Sequence, residues 1–185
     1  MIQKPISAIR MKIMFFILIL PIIIFGELLR LLHRVGPYSL HNSNLDPKRG
    51  FIRTSDGKTI CVNYTDKSDQ VAIVIHGYMS SSRRSYMKYA DFLSKNNIDI
   101  VAMDFRNHGL SSLSLPISAG YYERFDVIAT LKWAKSKWDK VHIIASSMGA
   151  YSVVYALADQ SESQLPTSII LESFGTDLKV GTRNT

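Results

Sequence analysis

The apolar run Val141-His142-Ile143-Ile144 leads straight into Ala145-Ser146-Ser147-Met148-Gly149-Ala150. A run of that kind reads as a buried strand, and the helical spacing of residues 147–158 follows at once. A strand that turns into a helix with no loop needs a very tight bend. Side chains flanking such a bend must be small, or they collide. The register is decidable on that ground. With Ser147 at the bend, the cramped positions two before and two after are Ala145 and Gly149. With Ser146 there, they are Ile144 and Met148, which are too large. Ser147 is therefore expected at the bend, in strained backbone geometry.

The segments before it alternate in the same way. Phe51–Thr54 and Thr59–Tyr64 flank Ser55-Asp56-Gly57-Lys58, a hairpin signal. Val71–Ile75 and Ile98–Met103 are continuous apolar runs, as parallel strands buried on both faces require. Helical spacing is predicted over 84–96, with Tyr86, Tyr89, Ala90 and Leu93 inward. It is predicted again over 122–135, with Val127, Ile128, Leu131 and Ala134 inward. Ser168–Leu171 is one more strand. A hairpin followed by alternating strands and helices means an α/β domain with a mostly parallel sheet and helices on both faces. Ser168-Ile169-Ile170-Leu171 is buried-type sequence left at a sheet edge, where it invites pairing with another chain.

Three motifs follow three of these strands. His76-Gly77-Tyr78 comes after Ile75. Asp104-Phe105-Arg106-Asn107-His108-Gly109-Leu110-Ser111-Ser112 comes after Met103. The Ser147 bend is the third. In this order the three resemble the α/β-hydrolase superfamily, near its serine aminopeptidase, monoglyceride-lipase-like and prolyl-oligopeptidase-like branches. The resemblance covers about residues 51–175. It implies a serine hydrolase acting on an ester, acyl or peptide substrate, with no cofactor and no metal. It makes Ser147 the nucleophile on a nucleophile elbow, and the backbone N–H groups of Met148 and Tyr78 the oxyanion donors. It makes His76, Gly77, Asp104, Arg106 and Gly149 supports of the surrounding loops. Where the superfamily usually has a first glycine at the elbow, this chain has Ala145.

The superfamily's chain order places the histidine base after the serine. The five histidines, His33, His41, His76, His108 and His142, all precede Ser147. The resemblance also implies two further strands and an acid after Ser168–Leu171. Asp177 is the one candidate acid in the loop that follows. These departures suggest a truncated hydrolase domain, or a chain completed by a partner at the edge strand. They also leave open a non-catalytic binding module or pseudoenzyme. A dinucleotide-binding domain is excluded, since no Gly-x-Gly-x-x-Gly follows a strand.

The N-terminal 49 residues carry seven Lys/Arg and two Asp/Glu, a net +5. Residues 50–185 carry fifteen and thirteen, a net +2. The basic excess thus lies in the leader, and no nucleic-acid groove is expected. Residues 13–26 form an unbroken apolar run after Lys4, Arg10 and Lys12. That is the layout of a signal peptide or signal anchor over residues 1–36. Lengthened through Leu32, residues 13–32 reach membrane-spanning length. No small-x-small cleavage site follows, which favours retention as an anchor. The flanking charges favour export of the domain. Residues 37–50 read as a linker, and residues 51–185 as the partial hydrolase domain. Cys61, the single cysteine, alternates with Ile60 and Val62 and is expected in the core.

Overall fold

The computed structural model describes residues 20–22, 24–25, 47–114, 118–158 and 160–175. The chain divides into two compact units, Met1–Tyr38 and Ser39–Thr185. In the first, Leu20, Pro21, Ile22, Ile24 and Phe25 are helical and exposed. The rest of the expected anchor, and most of the linker, lie outside the described residues. Among the described residues no helix is long and apolar enough to cross a membrane.

The second unit follows the apolar pattern closely. Its elements are β1 (Lys48–Arg53), β2 (Thr59–Tyr64), β3 (Gln70–Ile75), α1 (Ser82–Lys95), β4 (Asp99–Met103), α2 (Arg124–Lys135), β5 (Lys140–Ser146), α3 (Met148–Leu157) and β6 (Ser168–Glu172). A single turn of 3₁₀ helix, Glu162–Gln164, precedes β6. The six strands form one sheet in the order β1-β2-β4-β3-β5-β6. β4, β3, β5 and β6 are mutually parallel, and the β1–β2 hairpin adds antiparallel on β4.

Strand alternation sorts the core into two layers. Val71, Ile73 and Ile75 of β3 face α2 and α3, together with Val101, Met103, Val141, Ile143 and the buried faces of those helices. Ala72 and Val74 face the other way, against Tyr86, Ala90 and Leu93 of α1. Helices thus cover both faces. Trp133 and Trp138 stack edgewise on Tyr64, and the Trp138 indole N–H donates to Asp99 at 3.0 Å. Both tryptophans are packing residues. Cys61 is buried, and burial, with the charge of Asp104, pushes its thiol up to about 11.

One boundary differs from expectation. β1 begins at Lys48, inside the stretch read as linker. Lys48 pairs with Tyr64, Arg49 with Asn63 and Gly50 with Val62. These residues join the ladder through their backbones, which polar side chains do not prevent at a sheet edge. β6 forms the other edge. It pairs only with β5 among the described residues, and Ile169 and Ile170 are exposed.

Candidate active site

β3, β4 and β5 all end on one rim of the sheet, and the three motifs meet there. Ser147 joins β5 to α3 with φ 52° and ψ −120°. Positive φ is costly for a residue with a Cβ, so the surroundings must hold it. Its backbone hydrogen bonds do so, the two shortest of them as follows. The Ser147 N–H donates to the Glu172 carbonyl at the end of β6 (2.9 Å), and the Ser147 carbonyl accepts from Ala150 N–H (2.8 Å). The side chain is exposed.

The small neighbours explain how the bend closes. A Cβ on Gly149 would lie 2.7 Å from the His76 carbonyl oxygen and 2.9 Å from Ile75 Cγ2. Only glycine lets the first turn of α3 press against the end of β3. Gly149→Ala should cost about 1–3 kcal/mol of stability through overpacking. A denaturant midpoint equal to the parent's would show that the strand end yields freely. Ala145, in the place of the superfamily's first glycine, is buried within β5 without conflict.

On the opposite side, a Cβ on Gly77 would sit 3.0 Å from Ser147 Cβ and 3.6 Å from its hydroxyl. The Gly77 backbone therefore borders the serine directly. His76 sets the orientation of that backbone. It is fully buried, and its Nε2 accepts from Phe105 N–H (3.2 Å). Nδ1 must then carry the proton, and it donates to the Gly77 carbonyl at 2.7 Å. In a trans peptide the C=O and N–H point opposite ways. The bond thus turns the Tyr78 N–H away from the imidazole. The Met148 and Gly149 N–H groups open α3 and have no partner within the helix. The helix N-terminus adds positive partial charge there.

Burial, and secondarily the neighbouring His108, bring His76 down to about 3. The sign of the pH effect follows. Below pH 6.5 the unfolded chain takes up a proton at this residue and the folded chain does not. Stability is therefore whole above about 6.5 and falls as pH drops toward 3, by up to about 1.4 kcal/mol per pH unit. Asp126, described below, acts in the opposite sense, so the comparison needs a His76 variant. Urea midpoints at pH 7 and 4.5 should show about 2–3 kcal/mol more acid loss in the parent than in His76→Asn. Equal losses would mean that His76 is protonated in the fold.

Asp104 is buried, and its carboxylate accepts from Ser82 N–H at the start of α1 (2.8 Å), where a negative charge is favoured. Ser81 caps the same helix, accepting from Arg84 N–H. Arg106 is buried between two carboxylates. Its Nε and Nη2 reach Asp126 of α2 at 2.7–3.2 Å, and its Nη1 reaches Asp56 of the hairpin turn at 2.7 Å. Burial alone would lower the guanidinium, but the two carboxylates outweigh it and raise it. Burial pushes Asp126 up to about 6, against the pull of Arg106. The pair is ionised at neutral pH. Asp104 thus ties the loop after β4 to α1, and Arg106 ties it to α2 and to the hairpin turn.

Three acids at the rim went unrecognised in the sequence. Asp126 lies on the inward stripe of α2 with Val127, Thr130 and Leu131, and that placement was its one visible signal. Glu123 is buried and accepts from Ser118 N–H, the Ser118 hydroxyl and Gly120 N–H, folding the loop that enters α2. Glu172 pairs with Lys88 of α1 at 2.6 Å while its backbone holds Ser147. Asp177 lies outside the described residues.

The pattern of the family described as serine aminopeptidase, S33, matches residues 66–177, about three-fifths of the chain. The chain belongs to that family. Esterase PF2001 of Pyrococcus furiosus is 31% identical, with a TM-score of 0.60 over 69% of this chain and 51% of its own. The Vigna radiata epoxide hydrolase VrEH1 (18%, TM-score 0.59, 74% and 41%) and the Exiguobacterium antarcticum esterase EaEST (21%, TM-score 0.56, 67% and 44%) share the fold. This serine aminopeptidase family member spans about half the length of the Pyrococcus enzyme. No curated protein matches it.

Proposed function

We propose that this chain carries the nucleophile half of a membrane-anchored serine hydrolase acting on small esters, acyl groups or peptides. The observation that carries the reading is Ser147, exposed at a strained bend with an open helix N-terminus on one side and the Gly77 backbone on the other. Its hydroxyl oxygen would attack the acyl carbonyl while a base takes the proton. The oxyanion formed would accept from Met148 and Tyr78 N–H. The leaving group would depart protonated, and water would then release the acyl group from Ser147. The esterase from Pyrococcus, at 31% identity, supports the ester class. Residues 13–32 would hold the chain in the membrane, with the domain on the exported side.

The base is the open part of this reading. Both nitrogens of His76 are engaged. His142 lies within β5, bonded to Ser168. This favours the second reading, a membrane-tethered hydrolase-like module that binds without turning over. A fluorophosphonate probe on the full chain in membranes separates the two. Slow labelling abolished by Ser147→Ala and kept in Ser146→Ala supports the hydrolase. Labelling indifferent to Ser147→Ala removes the nucleophile assignment, and none at all favours the binding module.

A further inference from the structure

The near-neutral total over residues 50–185 leaves out Arg49, which joins three arginines of the domain on one side of the sheet. β1 is the edge strand, and its alternation puts Arg49, Phe51 and Arg53 on one face, all exposed. Their partners across the ladder are Asn63, Cys61 and Thr59. That is the α1 side of the sheet, because Asn63 donates to the Ser82 hydroxyl of α1 and accepts from Arg49. From α1, Arg83, Arg84 and Met87 are exposed as well, with a single acid, Asp91, one turn further along the helix. Among the described residues, none of these four arginines forms an ion pair with a carboxylate. Phe51 is 59% exposed and Met87 is 50% exposed.

Cations alone on an edge strand would be explained as a guard against pairing. They do not account for a large aromatic between two arginines, nor for the arginines and methionine that α1 adds on the same face. Aromatic and apolar side chains interleaved with unpaired cations suit a surface that is anionic outside and apolar just beneath. The geometry points to this face as a docking surface for an anionic lipid bilayer. The proposal builds on reading residues 13–32 as an anchor. β1 starts sixteen residues after Leu32, a covalent reach of at most about 55 Å. Arg53 and the first turn of α1 lie toward the rim that carries Ser147, since the hairpin turn after Arg53 holds Asp56 against Arg106. Docking there would bring the serine toward lipid.

The test is co-sedimentation of the full chain with vesicles of phosphatidylcholine alone, or with about a third phosphatidylserine. Each cation near such a surface contributes roughly a fivefold gain in partition. The full chain should prefer the anionic vesicles by at least about tenfold, and about 0.5 M salt should erase the preference. Made in a chain whose leader cations Lys4, Arg10, Lys12, Arg30 and Arg34 are Gln, Arg49→Glu/Arg53→Glu/Arg83→Glu/Arg84→Glu should keep binding to both vesicles and lose the preference. A leader variant, Ile17→Asp/Ile22→Asp with Lys4, Arg10, Lys12, Arg30 and Arg34 changed to Gln so that the leader's own cations do not contribute, should lose phosphatidylcholine binding and keep salt-sensitive binding to the anionic vesicles. If that leader variant binds neither vesicle, the docking face is overturned and the anchor stands. If it binds phosphatidylcholine as the parent does, the anchor reading fails, and the docking face is judged by the charge variant alone. An unchanged preference in the charge variant overturns the docking face. So does a parent that binds duplex DNA in a salt-sensitive way without preferring anionic vesicles. If the charge variant misfolds by circular dichroism, the salt response of the leader variant, which lacks the leader's cations, decides.

Discussion

Arg106→Met should destabilise the domain by about 3–5 kcal/mol, the scale for stripping the partner from a buried charge. Asp126 is completely buried, and Arg106 is its cationic partner. Asp56 is partly exposed and can turn to water, so its share of the loss is small. The loss should depend on pH. Burial already pushes the Asp126 carboxyl up to about 6 with Arg106 in place. Without the guanidinium it rises further, so the variant should recover stability as pH falls and Asp126 takes a proton. For an acid whose folded value is raised, stability is whole below the unfolded value of about 3.9 and is lost as pH rises from there through the folded value. Urea midpoints at pH 5 and 8 should therefore differ more in the variant than in the parent. Arg106→Met/Asp126→Asn should regain most of the loss, because asparagine still accepts the residue-106 N–H that Asp126 accepts at 2.9 Å. A single variant within about 1 kcal/mol of the parent at pH 8 would mean that Asp126 is neutral in the fold.

That ion pair also marks where sequence reading stopped. The strands were legible because each is a run of apolar residues with its own period. Ser147 was legible because the steric demand of its bend falls on residues two places away. Arg106, Asp126 and Asp56 are partners across 20 and 50 residues of chain, and no local pattern ties them together. Lys48-Arg49-Gly50 was missed as strand for a related reason: an edge strand needs only its backbone to pair. The charge total misled more subtly. A net +2 over residues 50–185 is accurate, yet Arg53, Arg83 and Arg84 are exposed on the α1 side of the sheet, where Arg49 from just before that span joins them, while Asp104, Glu123 and Asp126 are buried. Only the fold sorts charges by direction.

The largest expected effect is on turnover. A polypeptide of these 185 residues should hydrolyse a nitrophenyl ester about a million-fold more slowly than an intact serine hydrolase, the loss seen when the serine or the histidine of a triad is removed. The reason lies in the histidines. His76 is held neutral with both nitrogens bonded, and His142 is tied to β6. Where no imidazole reaches Ser147, its hydroxyl stays protonated near neutral pH and attacks poorly. What remains is stabilisation of the oxyanion and binding, about 10³–10⁴-fold over water. The pH profile should reflect this, rising with hydroxide and showing no plateau near pH 7, where a histidine base would give one. Substituting Tyr78 by proline, which removes its N–H, should lower the residual rate. His108→Ala should leave it unchanged. His108 bonds the Arg106 carbonyl through Nδ1 and stands beside His76, 4.8 Å between ring centres, so its expected part is to brace the loop. Fast labelling of Ser147 that vanishes in His108→Ala would make His108 the base. Fast labelling that survives substitution of every histidine would mean that another chain supplies it.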